Sequence, residues 1–312
     1  MKSTSDLIKE VETISVDANG IRFEVDTQGE GDRLVLCLHG FPEHSIAWRF
    51  QMPYLANLGY RVWAPNMRGY GNTDAPKGLK NYQLEVLMKD VEELIQASDA
   101  SEVTLLSHDW GALIAWHLAM RKPALIDRLV ICNVPHPFLF WRAISRSFEQ
   151  LRRSWYIFFF QLPWLPELVF SRISIGRLIR GGAAKRNNYS DEVVELFNNN
   201  TARSKNRTAM LNYYRAMLSG GGNYRQWKLG YPKIKVPTLM LWGEKDVALS
   251  MTSSMGTEDH VDDFTIRYFK GISHHVQQDA PDEVNAMLTA FLQNRPCLLY
   301  TSDAADDMQC VD

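Results

Sequence analysis

Short, continuously apolar runs alternate with amphipathic segments along most of the chain. The runs of strand length are RLVLCLHG, RVWAPN, EVTLLSHD, DRLVICNV, VPTLMLWG and FTIRYF. Between them lie segments with a helical repeat of apolar positions, and in residues 82–98 Leu84, Leu87, Val91 and Leu94 fall on one face. Alternation of buried strands with helices predicts an α/β protein with a mostly parallel central sheet.

Two parts of the chain depart from this pattern, one near the N-terminus and one in a long middle segment. Near the N-terminus, TISVDANGIRFEVDT predicts two strands joined by a turn at Asn19 and Gly20. From residue 138 to residue 230 there is no strand-like run, only aromatic and arginine-rich helical segments, and the alternation then resumes. The sequence therefore predicts a core in two parts, 1–137 and 231–296, interrupted by an all-helical insertion at 138–230.

Composition and charge are those of an ordinary globular protein. The 312 residues are 46% hydrophobic and 22% charged, with a net charge of −2. The last segment, 297–312, lacks the periodicity of the helix before it and resembles a translated sequencing adapter. It contains four aspartates and no Lys or Arg, so the net charge is +2 without it. Neither value indicates a nucleic-acid-binding protein.

Three features bear on the compartment of the protein. The start, MKSTSDLIKEVETISV, has no uninterrupted apolar run and no small-residue cleavage site, which favours the cytoplasm. The apolar run WYIFFFQLPWLPELVF is shorter than a bilayer requires and contains two prolines, so it predicts a lipophilic wall inside the insertion and not a membrane span. Cys37 and Cys132 lie in strand-like runs, which favours buried, reduced thiols.

The stretch LLSHDWGAL has the layout of a nucleophile elbow, the strand-turn-helix corner that usually reads Gly-x-Ser-x-Gly. Asp109 stands where the serine would be, and Ser107 takes the place of the first glycine. Ser107 and Gly111 are small enough for the tight turn. Taken alone, Asp109 is also compatible with a simple helix N-cap, since an Asp between a strand and a helix often has that role.

Four motifs give the chain a resemblance to the α/β-hydrolases, and within them to the epoxide hydrolases. They are HGFPEHSIAWRFQMPYL, RGYGNTDAP, SHDWGA, and the late pair LWGEKD with GISHHVQQDAPDEVN. The resemblance extends from about residue 10 to residue 296. It implies an α/β-hydrolase fold with a helical cap in its second half, and the order nucleophile, acid, histidine.

The resemblance also assigns the candidate catalytic residues. Asp109 is the nucleophile, His274 the base that activates water, and Asp246 the acid that holds the His274 ring in the required tautomer. The peptide N–H groups of Phe41 and Trp110 form the oxyanion hole.

Each assignment has a rival interpretation. Asp246 could be a turn residue in GEKDVAL. His275, where the family usually has Trp, is an alternative to His274 as the base. His39 and His108, which flank the motifs, are interpreted as structural residues.

A carboxylate nucleophile points to a saturated carbon, because its attack there gives a stable ester, whereas its attack on a carbonyl would give a reactive anhydride. A halide leaves such a carbon as a stable anion, but an epoxide leaves as a basic alkoxide that needs a proton donor. Epoxide hydrolases use two cap tyrosines for this purpose. The resemblance of YIFFFQLP and NYYRAM to their motifs points to Tyr156 and Tyr214, with Tyr213 as the alternative to Tyr214.

The sequence thus predicts an enzyme that opens a lipophilic epoxide with water to give a vicinal diol, with no metal or organic cofactor and no nucleic-acid partner. Two alternatives remain open. A haloalkane dehalogenase would use the same three residues, although Phe41 stands where those enzymes tend to have Asn or Glu. A non-catalytic binding protein on the same fold is the other, although a receptor has no chemical need for all three residues. Neither the natural epoxide nor the oligomeric state follows from these motifs.

Overall fold

The structure, a computed structural model, describes residues 11–294 and contains one eight-stranded sheet in the order β1-β2-β4-β3-β5-β6-β7-β8. The strands are β1 (Glu12–Ala18), β2 (Ile21–Gln28), β3 (Arg33–Leu38), β4 (Arg61–Pro65), β5 (Glu102–His108), β6 (Arg128–Cys132), β7 (Thr238–Gly243) and β8 (Phe264–Phe269). The strands from β4 to β8 along this order pair in parallel, and β1 and β2 form an antiparallel edge. The segment 297–312, which resembles a translated sequencing adapter, lies outside the described residues.

Helices connect the strands and fill the interval between β6 and β7. The α-helices are α1 (Gln51–Asn57), α2 (Leu84–Ala97), α3 (Trp110–Arg121), α4 (Pro137–Arg146), α5 (Phe148–Arg153), α6 (Trp155–Phe159), α7 (Leu165–Arg172), α8 (Ile175–Gly182), α9 (Asp191–Ala202), α10 (Ser204–Met217), α11 (Gly222–Leu229), α12 (Val276–Asp279) and α13 (Pro281–Leu292). Short 3₁₀ turns are found at Ser45–Trp48, Leu79–Tyr82, Pro123–Leu125, Arg186–Asn188, Met251–Ser253 and Thr257–Asp259. The α/β fold class predicted from the alternating pattern is confirmed.

The antiparallel edge forms where the Asn-Gly signal predicts it. Asn19 and Gly20 have φ values of 47° and 71°. Two consecutive residues with positive φ are characteristic of the type I′ turn, whose twist matches that of a two-residue hairpin.

The central strands of the sheet, β3 and β5 to β7, are buried on both faces, which explains their continuous apolar runs. Alternate residues of β3 point to opposite sides, so that Leu34 and Leu36 join one core cluster and Val35 and Cys37 join the other. Cys37 and Cys132 are buried, free thiols.

The apolar run at 155–170 is only partly internal. Ile157, Phe160 and Phe170 are buried in the core, but Trp155 and Trp164 are 63% and 69% exposed. The expected lipophilic wall is therefore present on one side of this segment, while other large side chains of the run face outward. Within the described residues, no helix combines the length and the apolar character that crossing a bilayer requires.

The corner between β5 and α3 lies at the centre of the sheet, since β5 pairs with both β3 and β6. A Cβ atom on Gly111 would lie 2.3 Å from the carbonyl oxygen of Leu38, which is backbone of the neighbouring strand. Ser107 is also enclosed, and its hydroxyl donates to the carbonyl oxygen of Val130 at 2.9 Å. Small residues at 107 and 111 thus let the helix begin directly against the sheet.

We expect Gly111→Ala to destabilise the fold by about 1–3 kcal/mol, because the added methyl group overlaps a strand carbonyl that cannot move freely. The measurement is the free energy of unfolding from denaturant titration. Gly181→Ala is the matched control, since a Cβ at Gly181 of α8 meets nothing within 4 Å and Ala favours a helix over Gly. Equal unfolding free energies for the two variants would contradict the packing argument.

Candidate active site

Asp109 occupies the turn between β5 and α3 in a strained backbone conformation. Its φ and ψ are 47° and −116°, outside the regions that residues with a Cβ normally adopt. Such strain is typical of a nucleophile elbow, which presents one side chain above the end of the sheet. The Oδ1 atom of Asp109 accepts a hydrogen bond of 2.7 Å from the peptide N–H of Phe41. The corner therefore holds the carboxylate beside a backbone donor.

His274 lies between two carboxylates. Its Nδ1 is 2.6 Å from Oδ2 of Asp246, and its Nε2 is 3.7 Å from Oδ2 of Asp109. The three residues come from different parts of the chain, after β8, after β7 and after β5. Because the carboxyl ends of parallel strands meet at one edge of the sheet, the fold brings them together there.

Asp246 is the buried partner of this histidine, with 3% of its surface exposed. Its Oδ1 accepts hydrogen bonds from the peptide N–H groups of Ala248 and Leu249, at 2.8 and 2.9 Å, and its Oδ2 accepts one from the Asn133 amide at 2.9 Å. Burial alone would raise the pKa of Asp246, but the charge of His274 and these hydrogen bonds lower it below its ordinary value. Asp246 is therefore a fixed anion.

The two carboxylates also control the charge of His274. Burial works against the imidazolium, but the charge of Asp246 and the hydrogen bonds that the ring donates toward Asp109 and Asp246 raise the pKa of His274 well above its ordinary value. In return, burial would raise the pKa of Asp109, and the hydrogen bond and charge of His274 lower it. Both shifts favour the charged forms, an imidazolium between two carboxylates, over the neutral ones.

A small cavity of about 50 Å³ opens beside Asp109. Its walls are formed by the elbow and its helix, by residues after β6 and β7 and by helices of the insertion: Asp109, Trp110, Leu113, Val134, Pro135, Phe140, Tyr156, Ile157, Tyr214, Met217 and Leu249. Tyr156 on α6 and Tyr214 on α10 lie edge to face, with ring centroids 5.9 Å apart. Burial, with a further contribution from the Asp109 charge, raises the pKa of both phenols, so each is protonated at neutral pH.

Tyr213, the neighbour of Tyr214, faces a different direction. It is fully buried, and its hydroxyl donates to the carbonyl oxygen of Arg68 at 2.8 Å. Tyr213 does not line the cavity beside Asp109. Of the two adjacent tyrosines, only Tyr214 lines the same cavity as Asp109.

The two residues predicted for an oxyanion hole flank the carboxylate. Phe41 donates its peptide N–H to Asp109, and its ring packs against the rings of Phe160 and Tyr214, with centroids 5.3 and 5.1 Å away. Trp110 is the first residue of α3. The first N–H groups of a helix have no partner within the helix and point along its axis toward negative charge.

The remaining histidines of the motifs have structural contacts. His39 Nδ1 lies 2.9 Å from the carbonyl oxygen of Gly40, and its Nε2 accepts from the Met67 peptide N–H. His108 is fully buried, with Nδ1 2.9 Å from Glu43 and Nε2 3.1 Å from the carbonyl oxygen of His274. Neither ring lines the cavity beside Asp109.

His275, the rival of His274, points to the other side of this cluster. Its Nδ1 lies 3.0 Å from Oε1 of Glu43, and it contacts neither Asp109 nor Asp246 through a hydrogen bond in the described part of the chain. Glu43, His108 and His275 offer ligand atoms within 4.8 Å of one another, so by distance this trio could hold a metal ion. The two histidines also stabilise the Glu43 anion, whose pKa is lowered despite its burial.

The sequence does not reveal the roles of two residues that support the site, Glu43 and Asn133. Glu43 belongs to the HGFPE motif, but its importance lies in the buried contacts with His108, His275 and Gln278. Asn133, at φ 50°, follows β6 and connects Asp246 with the peptide N–H of Gly243. A polar residue at the carboxyl end of a buried strand is the sequence feature that could have indicated Asn133.

Comparison with known proteins identifies the family. The model of the α/β-hydrolase fold matches residues 33–261. The chain is 36% identical to epoxide hydrolase 2 of Caenorhabditis elegans, over 89% of this chain and 79% of that protein, and 34% identical to epoxide hydrolase 4 of Homo sapiens, over 90% and 78%. A crystal structure of a Bacillus megaterium epoxide hydrolase with an inhibitor has a TM-score of 0.82 and 28% identity, covering 90% of this chain and 100% of that one.

These similarities extend over about nine tenths of the chain, and the fold agrees with them. The chain therefore belongs to the epoxide hydrolases of the α/β-hydrolase superfamily.

Proposed function

We propose that this protein opens a lipophilic epoxide to a vicinal diol through a covalent alkyl ester on Asp109. The observation that carries the proposal is the cavity wall, where a carboxylate on an elbow and two protonated phenols, Tyr156 and Tyr214, border the same space. A nucleophile and a proton donor on one cavity are what epoxide opening needs. The family membership of the chain supports the same reaction.

In the first step, a carboxylate oxygen of Asp109 attacks one carbon of the epoxide. The carbon–oxygen bond of the ring breaks, and its electron pair stays on the epoxide oxygen. Tyr156 or Tyr214 gives its proton to that oxygen while the other phenol donates a hydrogen bond. Because burial keeps both phenols protonated until the alkoxide forms, the acid is ready at neutral pH.

In the second step, His274 takes a proton from water, and the oxygen of that water attacks the carbonyl carbon of the Asp109 ester. The peptide N–H groups of Phe41 and Trp110 stabilise the resulting oxyanion, an effect worth about 2.7–4 kcal/mol for one such donor. The tetrahedral intermediate then collapses: the bond between the carbonyl carbon and the alkyl oxygen breaks, and that oxygen leaves in the diol with a proton from His274. The water oxygen remains in the Asp109 carboxyl group, whose proton returns to His274.

The charges around His274 explain how it becomes a base only when required. In the resting site, Asp109 and Asp246 both raise its pKa. Formation of the ester neutralises Asp109, and one of the two anions that stabilise the imidazolium is lost. The pKa of His274 then falls, so the ring gives up its proton, through solvent, to the tyrosinate left by epoxide opening and can then accept one from water.

The helices α4 to α11 act in this proposal as a cap. They supply Tyr156 and Tyr214 from above the elbow, and the cavity they close is about 50 Å³. A typical small-molecule site needs about 300 Å³ or more. Substrate binding therefore requires the cap to move away from the core, and its return would exclude bulk water during the reaction.

The dehalogenase alternative would use the same Asp109, Asp246 and His274. It gives no role to two protonated phenols beside the nucleophile, because a halide leaves without a proton. A protein that only binds a ligand has no chemical need for a histidine placed between two carboxylates.

We expect Asp109→Asn to be folded but inactive when freshly prepared, because an amide has the same shape as the carboxylate and is a poor nucleophile. Turnover of a styrene-type epoxide is the measurement, with mass spectrometry to exclude deamidation back to Asp. Wild-type activity in a sample proven to contain Asn at this position would overturn the covalent mechanism.

We expect His274→Gln to accumulate the alkyl ester, because alkylation does not need the base and hydrolysis does. Intact-protein mass spectrometry after denaturation should show the protein plus one epoxide, located on the peptide that contains Asp109. His275→Gln is the matched control and should turn over without an adduct. An adduct in the His275 variant instead would assign the base to that residue.

We expect the double variant with Tyr156→Phe and Tyr214→Phe to slow alkylation by about 10²–10⁴-fold. The alkoxide loses its proton donors, while both rings keep their packing. Single-turnover alkylation measures this effect, and halide release from a haloalkane is followed in parallel. Tyr213→Phe removes an adjacent buried hydroxyl and should leave alkylation unchanged. Unchanged epoxide opening in the double variant, or faster turnover of the haloalkane, would favour the dehalogenase.

A further inference from the structure

Helices α5 and α6 and the turn that follows them carry a row of large apolar side chains on their outer face. Phe148, Leu151, Trp155, Phe158 and Leu162 are 82%, 41%, 63%, 51% and 44% exposed. Their spacing of three and four residues places them on one side of a nearly continuous helical segment, since backbone hydrogen bonds continue across Ser154. We call these five residues the outer stripe.

The inner face of the same segment is already occupied. Gln150, Ser154, Ile157 and Phe160 are buried, and Gln150 is bonded to the backbone at residues 248 and 250. The segment thus already packs against the core, and a missing core contact does not explain why the outer stripe is exposed. It is a second apolar face on helices whose first apolar face is packed.

The exposed apolar surface continues toward α7. Trp164 is 69% exposed, and its φ of 51° lies in the left-handed region that bulky residues rarely adopt. Leu168, one turn into α7, is 37% exposed. Within the described residues, this strained backbone thus presents a tryptophan that is mostly exposed.

The segment that contains this surface is strongly basic. Residues 142–186 contain nine Lys or Arg residues and two Glu residues, a net charge of +7 in a chain whose total is −2. Within residues 11–294, six exposed arginines of this segment form no ion pair: Arg142, Arg146, Arg152, Arg172, Arg177 and Arg186. Their charge is free to interact with an anionic partner.

We propose that the outer stripe and the basic residues around it bind the surface of an anionic lipid bilayer. Exposed Trp, Phe and Leu side chains enter the headgroup region, where an apolar body and polar surroundings are both accommodated, while arginines contact lipid phosphates. An acidic protein partner would match the positive charge alone. An anionic bilayer offers both phosphates for the arginines and hydrocarbon for the exposed aromatic side chains.

This docking places the cavity wall next to the membrane. On α6, Tyr156 and Ile157 line the cavity, whereas Trp155 and Phe158 belong to the outer stripe. A lipophilic epoxide dissolved in the bilayer would thus reach the cap without crossing water. This delivery role rests on the proposed function, but binding to the bilayer does not.

The experiment is sedimentation of the full chain with vesicles of phosphatidylcholine, with and without phosphatidylglycerol. We expect binding to the anionic vesicles and little to the neutral ones, with binding reduced when salt is raised from about 0.1 M to about 1 M, which shortens the screening length from about 10 to about 3 Å. Since no turnover is measured, this result is independent of the reaction at Asp109.

Two variants locate the surface. Phe148→Ser with Trp155→Ser should weaken vesicle binding at least about tenfold, because two aromatic anchors are lost. Arg146→Gln with Arg152→Gln should weaken it about fivefold per arginine. Trp227→Ser is the control, since Trp227 on α11 is also 63% exposed and lies outside the outer stripe.

Turnover of a water-soluble epoxide should be unchanged in all of these variants, which shows that they fold. No sedimentation of the wild-type chain with anionic vesicles would overturn the proposal. Equal binding to neutral vesicles would remove the role of the arginines, and equal loss in the Trp227 control would remove that of the outer stripe. A change from dimer to monomer in the Phe148 and Trp155 variant, without vesicle binding in the wild type, would assign the stripe to self-association.

Discussion

The close contact between β3 and the β5–α3 corner is the constraint on which the site depends. Gly111 packs against the carbonyl of Leu38, and a Cβ on Gly40 would lie 2.3 Å from the Cβ of Asp109. Only because both positions lack a side chain can Asp109 sit at φ 47° above the sheet and receive the peptide N–H of Phe41. The strain at one residue is offset by the packing of two strands and a helix around it.

Electrostatics at this corner follow from placing one imidazole between two carboxylates. Asp246 is fixed by backbone and Asn133 donors, so its charge is permanent, whereas the charge of Asp109 would disappear during the proposed reaction. A single covalent step would therefore alter the pKa of His274 without any movement of the chain. The cluster of Glu43, His108 and His275 behind it holds the backbone of His274 through the contact of His108 with its carbonyl oxygen.

Helix α6 connects the site with the outside of the molecule. Only five residues long, it presents Tyr156 and Ile157 to the cavity and Trp155 and Phe158 to solvent. The same short helix would therefore carry a proposed catalytic acid and part of a proposed membrane surface. Both roles are possible because one side of the helix packs against the core, while the other side is exposed to solvent.

The sequence alone determined the α/β architecture, because continuously apolar strands and amphipathic helices have different periods, and the Asn19–Gly20 turn, because its φ values suit these two residues. It also indicated Asp109, whose motif is local. Which of Tyr213 and Tyr214 reaches the cavity, which of His274 and His275 meets Asp246, and which side of the run at 155–170 faces out were decided only by the tertiary structure. Adjacent residues on a helix or loop differ in direction by the rotation of the backbone, and the partners that select one direction, such as Arg68 for Tyr213 and Glu43 for His275, are distant in the sequence.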